Sequence, residues 1–185
     1  MPLYSIRASP PSVTADDYEV YKAFLRAHLD KAGGTRPRVS VIHLRTRALS
    51  SAGHLKSQLE DLREECPGAP ASLWTAFGDL DEAEVELQAE KLKPLQCLVA
   101  SDDQINSLFE TESDAESSTD AFYRHLPGAS GTFAFSRIAY DRSGDWAVFY
   151  VSHWCGHLCG VGKNVICRRS SAGWQQVCSA TVWVS

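Results

Sequence analysis

The sequence predicts an α+β fold, in which N-terminal helices pack on a mainly antiparallel sheet that ends in a C-terminal four-stranded meander. Two observations predict it. Apolar residues early in the chain recur mostly at helical spacing, whereas the last third consists of four strand-like runs joined by short turns. The length of 185 residues, with 44% hydrophobic and 22% charged residues, suits one folded domain. We therefore expect a single domain over residues 1–185.

The first helix is predicted in "PSVTADDYEVYKAFLRAHLDKAGG". Thr14 and Asp17 have the spacing of an N-terminal capping pair, and Gly33 or Gly34 suits the C-terminal cap. The residues that repeat at helical spacing are Tyr18, Tyr21, Leu25 and Leu29, with Phe24 beside them. A strand is predicted next in "RVSVIHLRTRAL", because it is rich in β-branched residues.

The middle of the chain predicts further helices and one strand. "HLKSQLEDLREEC" has one apolar helical face and ends before a Pro-Gly-Ala-Pro run, and "SLWTAFG" begins a short helix. The acidic stretch of residues 82–90 is compatible with either a helix or a loop. "PLQCLVASDDQINSLFE" predicts a strand over residues 95–100, followed by a helix capped by Ser101 or Asp102. Residues 110–120, "ETESDAESSTD", have no aliphatic side chain larger than alanine and predict a mobile acidic loop.

The four strand-like runs are "GTFAFSRIAYD", "DWAVFYVSH", "KNVICRR" and "GWQQVCSATVWVS". Apolar residues occupy both faces of the second run, so we expect that strand to lie centrally in the sheet. Among its aromatic residues and those just beyond it, Trp146, Tyr150 and Trp154 are candidate ligand-binding side chains. The more usual role of such residues is to fill the core of a sheet.

The connection "VSHWCGHLCGVGKN" contains the densest set of reactive side chains. A metal site would use His153, Cys155, His157 and Cys159, which have the donor types that zinc prefers. On a straight strand, however, these four would spread over roughly 20 Å, and the intervening glycines favour a loop. A structural disulfide involving Cys155, Cys159, Cys167 or Cys178 is favoured over buried thiols, a metal ion or a reactive cysteine.

Catalytic candidates come from the same connection. Cys155 would be the nucleophile and His153 or His157 its base, but neighbours in sequence on a strand point to opposite faces, so adjacency alone is poor evidence. No phosphate-binding or nucleophile-elbow pattern is present in the sequence, and we expect no cofactor.

Charge and hydropathy limit the partners. The formal net charge is −5, with 17 acidic against 4 basic residues between His54 and Asp120, which disfavours nonspecific binding to nucleic acid. No apolar run is long enough to span a bilayer, and the first residues lack the apolar core of a secretory signal. We expect a soluble chain, cytoplasmic by default and exported if a signal was removed.

The stretch "FYRHLPGASGTFAFSRIAYDRSGDWAVFYVSHWCGHLCGVGKNVICRRSSAGWQQVCSATVWVS" resembles the C-terminal region of an uncharacterised group of small bacterial proteins. The preceding "SLWTAFGDLDEAEVELQAEKLKPLQCLVASDDQINSLF" is similar to the segment before it in that group. The resemblance implies a helix first and a shared cysteine and glycine loop. It does not extend to His153 or His157, and it implies no activity.

These observations favour a noncatalytic domain that binds a protein partner or a small ligand against its sheet. The alternative is a hydrolase or metal-dependent enzyme that uses the loop of residues 153–159. A concave groove would support the first, and convergence of the loop's histidines and thiols would support the second.

Overall fold

The computed structural model describes residues 12–31, 39–46, 52–80 and 83–185. It has an α+β fold, as predicted, built on one mixed sheet of seven strands. The helices are α1 (Ala15–Lys31), α2 (Ala52–Glu65), α3 (Ala71–Gly78), α4 (Asp102–Ser107) and α5 (Ser118–His125), with a 3-10 turn over Ala89–Leu92. The strands are β1 (Val39–His43), β2 (Cys97–Ala100), β3 (Ala129–Phe135), β4 (Ala139–Tyr140), β5 (Trp146–Trp154), β6 (Gly160–Ser170) and β7 (Gly173–Val184).

The strand order is β2-β1-β3-β5-β6-β7, and β4 pairs with β5 beside β3. Strand β1 runs parallel to β2 and β3, whereas β3, β5, β6 and β7 form an antiparallel meander. The predicted C-terminal meander is therefore present. The parallel pairs at the other end of the sheet were not predicted.

The first strand-like run is split into β3 and β4 because the ladder is interrupted at Ser136. Its hydroxyl accepts a hydrogen bond from the backbone N–H of Tyr150 at 2.9 Å and donates to the carbonyl of Arg137 at 2.7 Å. A side chain here takes hydrogen bonds that a regular ladder would give to the backbone. Beyond this interruption, β4 rejoins β5 in the same antiparallel sense.

Several helix boundaries follow the sequence. The backbone N–H of Thr14 donates to the Asp17 carboxylate at 2.7 Å, and the N–H of Asp17 donates to the Thr14 hydroxyl at 3.2 Å, which confirms the predicted capping pair. Ser101 caps α4 in the same way with Gln104. The predicted C-terminal caps Gly33 and Gly34 lie outside the described residues.

The acidic residues differ in part from expectation. Residues 83–88 form no helix and make one isolated bridge, from Glu86 to Arg45, before the 3-10 turn, so the loop alternative holds there. Helix α5 begins within the predicted loop, because Ser117 caps it by accepting a hydrogen bond from the N–H of Asp120. Arg124 reaches back from α5 to the carboxylates of Glu112 and Glu116 at 2.7 and 2.8 Å. The mobility of residues 110–120 stays a prediction.

The sheet lies between two layers of helices. On one face, α1 packs its apolar side chains against Phe133, Phe135 and Phe149. On the other face, α2 and α3 cover Val148 and Ile166, while α4 and α5 cover the end that contains β1. No helix in the described ranges is long and apolar enough to cross a membrane.

Tyr21 fixes the position of α1 on its face of the sheet. Its ring stacks on Phe135 with the centroids 4.7 Å apart and meets the edge of Phe149 at 5.5 Å. Its hydroxyl donates a 2.7 Å hydrogen bond to the carbonyl of Ser136, inside the core. Burial raises the pKa of Tyr21 well above its usual range, so the hydroxyl keeps its proton and remains a donor.

We expect Tyr21→Phe to lower the free energy of unfolding by about 1–2 kcal/mol, because the buried carbonyl of Ser136 loses its donor while the ring contacts remain. Urea denaturation followed by circular dichroism measures this loss. An unchanged unfolding midpoint would show that the hydrogen bond does not stabilise the packing of α1.

Candidate functional site

Residues 155–159 form a compact turn between β5 and β6. A disulfide joins Cys155 and Cys159, whose Cα atoms are 5.2 Å apart, and the N–H of Cys155 donates to the carbonyl of Cys159 at 2.8 Å. The turn is attached to α5, since the Tyr123 hydroxyl donates to the carbonyl of Cys155 at 2.8 Å and the N–H of His157 donates to the Thr119 hydroxyl at 3.2 Å. The sulfur atoms therefore shape a connection between two antiparallel strands.

This arrangement separates the predicted metal and catalytic residues. Cys155 and Cys159 use their sulfur atoms in the disulfide, so neither is a thiolate in this form. His157 is exposed on the turn, whereas His153 is buried in β5. Among the residues that the structure describes, no three His, Cys, Asp or Glu side chains come together as metal ligands.

The second disulfide joins Cys178 on β7 to Cys66, just after α2. Cys66 was not among the predicted disulfide residues, because a partner 112 positions away has no local sequence signal. The prediction that Cys167 takes part in a disulfide is wrong, since its thiol is free. Cys167 lies in the core beneath α1, whereas Cys178 packs on the opposite face of the sheet, so the two sulfur atoms cannot meet. Burial raises the pKa of the Cys167 thiol to about 12.

The two disulfides close loops of very different length, and we expect them to stabilise the fold unequally. The chain-entropy relation gives a loss of about 5 kcal/mol for the double variant Cys66→Ala/Cys178→Ala and about 2 kcal/mol for Cys155→Ala/Cys159→Ala. Chemical denaturation of both variants against the parent protein measures these losses. Equal losses would contradict a difference set by loop length.

The three aromatic binding candidates do not form one site. Trp154 packs edge to face against Phe109 and Phe122, with centroid distances of 4.8 and 5.5 Å. Trp146 and Tyr150 share the face covered by α2, but Tyr150 is engaged by a hydrogen bond from Trp183. These side chains serve mainly in packing, which is the common role of aromatic residues in a sheet.

Trp146 does line a small apolar pocket beside the Cys66–Cys178 disulfide. The pocket encloses about 440 Å³ including its open mouth, and Ile166 and Val177 contribute to its wall. The guanidinium of Arg168 lies 5.1 Å from the centre of the indole ring of Trp146.

A groove on the opposite face combines apolar and polar side chains. It lies between the second half of α1 and strands β5, β6 and β7, and it encloses about 520 Å³ including its open mouth. Its lining residues are Phe24, Ala27, His28, Val151, His153, Val161, Lys163, Gln176 and Ser179. Alternation brings the lining side chains of β5 and β6 to the face that α1 covers, and the register shift between Ile166 and Cys167 lets both Gln176 and Ser179 of β7 join them. Of the predicted site residues, only His153 lies here.

His153 is held rigidly at the base of this groove. Its ring stacks on Phe133 at a centroid distance of 4.3 Å and meets the ring of His28 edge to face at 4.7 Å. The Nε2 atom lies 2.7 Å from the carbonyl oxygen of Ser130. Because a carbonyl only accepts, Nε2 carries the proton and Nδ1 is the acceptor in the neutral ring.

The backbone of β3 is shaped to receive His153. Gly131 has a φ of +106°, a conformation that side chains with a Cβ rarely adopt. A Cβ at this position would collide with the carbonyl oxygen of Trp154 and lie 2.9 Å from Nε2 of His153. Glycine therefore allows the close approach that orients the imidazole.

Burial lowers the pKa of His153 below its ordinary value. The hydrogen bond to Ser130 acts in the opposite direction, and the nearby positive charge of Lys163 lowers the pKa further. His153 is thus neutral at pH 7, and the ammonium of Lys163 supplies the positive charge of the groove.

A third cavity lies at the carboxyl ends of the parallel strands β1 and β2. It encloses about 500 Å³ including open solvent and is lined in part by Arg45, Glu84 and Asp102. Nearby, Nδ1 of His43 lies 2.8 Å from the Asp102 carboxylate. Arg45 pairs with Glu86 at 2.9 Å and lies 3.9 Å from Glu84, but Asp102 and Asp103 also line the cavity, so carboxylates outnumber the one arginine at this edge.

Sequence reasoning missed the groove because its members come from four separate elements. His28 is one of several polar residues on α1, and Lys163 sits in a strand at a position with no motif around it. The alternation of β6 places Lys163 on the same face of the sheet as Val165 and Cys167, so the sequence does indicate to which face its side chain points. No sequence pattern near Lys163 indicates which helix covers that face of the sheet.

Over the described residues, these features define a helix-covered α+β fold with a groove of mixed apolar and polar lining. Comparison of the chain with known protein families, with curated proteins and with solved structures finds no match. The resemblance to the group of small bacterial proteins stays a prediction.

We expect stability to fall as the pH drops from 7.5 to 5.5, in part because of His153. The pKa of His153 is lowered in the folded state, so below about pH 6.5 the unfolded chain binds a proton at this residue more readily than the folded chain does. This difference favours unfolding as the pH falls. His153→Gln should flatten this fall in melting temperature, since an amide can still donate to Ser130 without titrating.

His157→Gln is the matched control, because it makes the same change at an exposed histidine. The control should keep the pH dependence of the parent protein. Identical pH profiles for His153→Gln and the parent protein would contradict the assigned role of His153.

Proposed function

We propose that this chain is a noncatalytic binding domain, and that its ligand is a small organic anion with an apolar body, held in the groove between α1 and the sheet. The observation that carries the proposal is the charge of the groove. Lys163 is the one lysine or arginine among the nine lining residues, and none of the nine is a carboxylate. In a chain with a net charge of −5, a groove with this sign favours an anion.

The groove offers the two kinds of surface that such a ligand needs. Phe24, Val151 and Val161 provide apolar walls, and Gln176 and Ser179 provide uncharged hydrogen-bonding groups in the same lining as Lys163. Ligand sites commonly combine apolar walls with a few placed polar groups. A carboxylate placed at Lys163 gains a charge-assisted hydrogen bond, which is stronger than one between neutral groups.

The rigidity of the groove supports binding over catalysis. His153 is fixed by Phe133 and by the carbonyl of Ser130, and a side chain that is oriented before binding loses less conformational entropy when a ligand binds. The enzyme alternative centred on residues 153–159 has less support, because Cys155 and Cys159 are paired in the disulfide and His153 faces α1. A general base would need a nucleophile within hydrogen-bond reach.

Three probes of similar size and different charge test the proposal: phenylacetate, phenylacetamide and 2-phenylethylammonium. Ligand-detected NMR titration should give the order of affinity carboxylate, then amide, then ammonium. Lys163→Gln should weaken phenylacetate binding about tenfold, the loss of one charge-assisted contact, and should leave the amide unaffected.

Lys91→Gln is the matched control, since Lys91 is exposed on the 3-10 turn and does not line the groove. It should bind phenylacetate as the parent protein does. Equal affinity for the carboxylate and the ammonium, or no effect of Lys163→Gln, would overturn the proposal.

A further inference from the structure

The two edges of the sheet differ sharply in how they are protected. Strand β2 forms one edge, has four residues, and is followed at once by Ser101, Asp102 and Asp103. Strand β7 forms the other edge and runs for twelve residues, Gly173–Val184, and among the described strands it pairs with β6 alone. Natural edge strands are commonly short, charged or interrupted by proline, because an open edge pairs with other strands. The short β2 follows this rule.

Strand β7 has none of the protective side chains. Its sequence, "GWQQVCSATVWV", contains no charged residue and no proline. Five large apolar side chains of the described residues are well exposed, and three of them lie on this strand: Val177, Trp183 and Val184. An exposed apolar strand edge of this length is typical of an interface.

Two irregularities break the pairing of β7 with β6. The register shifts between Gly162 and Lys163 and again between Ile166 and Cys167, which makes Val182 and Val177 the extra residues on β7. Between them, residues 178–181 pair regularly. Bulges turn an edge strand away from pairing, but residues 178–181 between them keep a regular segment, and no described strand pairs with its outer side.

We propose that β7 is a dimerisation edge, along which a second copy of this chain pairs its own β7 in antiparallel orientation about a two-fold axis. A second copy is favoured because the strand is complementary to itself. With the axis through the middle of residues 178–181, Val177 of one copy comes opposite Val182 of the other, and no like charges are brought together. The sheet then continues from one copy into the next.

The apolar pocket beside the Cys66–Cys178 disulfide adds to this edge. It opens next to Val177, and its wall includes Trp146 and Ile166. In strand addition, backbone hydrogen bonds supply affinity and adjacent pockets accept alternate side chains. The pocket thus gives the second copy a place for an apolar side chain on the face covered by α2. This inference does not depend on the ligand proposed for the groove.

Sedimentation velocity over about a hundredfold dilution range tests the proposal on the full chain. The parent protein should sediment as a dimer that dissociates on dilution. Val177→Lys should weaken the dimer at least about tenfold, because an edge lysine must lose its hydration to pair. Leu158→Lys makes the same change in side-chain character on the exposed turn between β5 and β6 and should leave the dimer intact.

Thr181→Lys is a second edge variant, exposed within the regular segment, in case Val177→Lys does not fold. A parent protein that stays monomeric at all concentrations would overturn the proposal and leave the edge to a different partner. Equal weakening by Leu158→Lys and the edge variants would also overturn it, since the association would then not run through β7.

Discussion

Tyr21 and Phe24 hold α1 against the sheet, and the other features of that face depend on this contact. Phe24 meets Phe133, Phe135 and Phe149 edge to face, with centroid distances between 5.9 and 6.3 Å. Aromatic pairs of this geometry each contribute about 1 kcal/mol beyond the burial of their surface. Because several pairs share the same rings, a shift of α1 would break many of them together.

The same ring contacts continue toward the groove. His28 lies one turn beyond Phe24, with its ring 5.1 Å from Phe133 and 4.7 Å from His153. The ring contacts that pack the core therefore also position the two imidazoles of the groove. The aromatic contacts of α1 end where the polar lining of the groove begins. Lys163 therefore lies beside an apolar wall and not within the core.

The extent to which the sequence predicted this structure depends on how local each signal is. The capping pair of Thr14 and Asp17, and the alternation within β5, act over a few residues, and both were predicted. The parallel pairing of β1 with β3 joins residues about ninety positions apart, and the Cys66–Cys178 disulfide spans 112. Such contacts are decided by which face each helix covers, and no short motif encodes that choice.

The most conspicuous sequence motif was also the least informative about the groove. The even spacing of His153, Cys155, His157 and Cys159 reflects a strand that ends in a disulfide-closed turn. Only His153 belongs to the groove. Its partners there, Lys163 and His28, stand in stretches without any recognisable pattern, so the candidate site could not be predicted from spacing alone.

Backbone amide NMR shifts, recorded while phenylacetate is added to the ¹⁵N-labelled chain, test the central claim most directly. The account predicts that the largest changes map to the groove, at His28, Lys163 and Gln176, with little change near Trp146 on the opposite face. Changes concentrated around Trp146 and Val177, or around His157 on the disulfide turn, would contradict it.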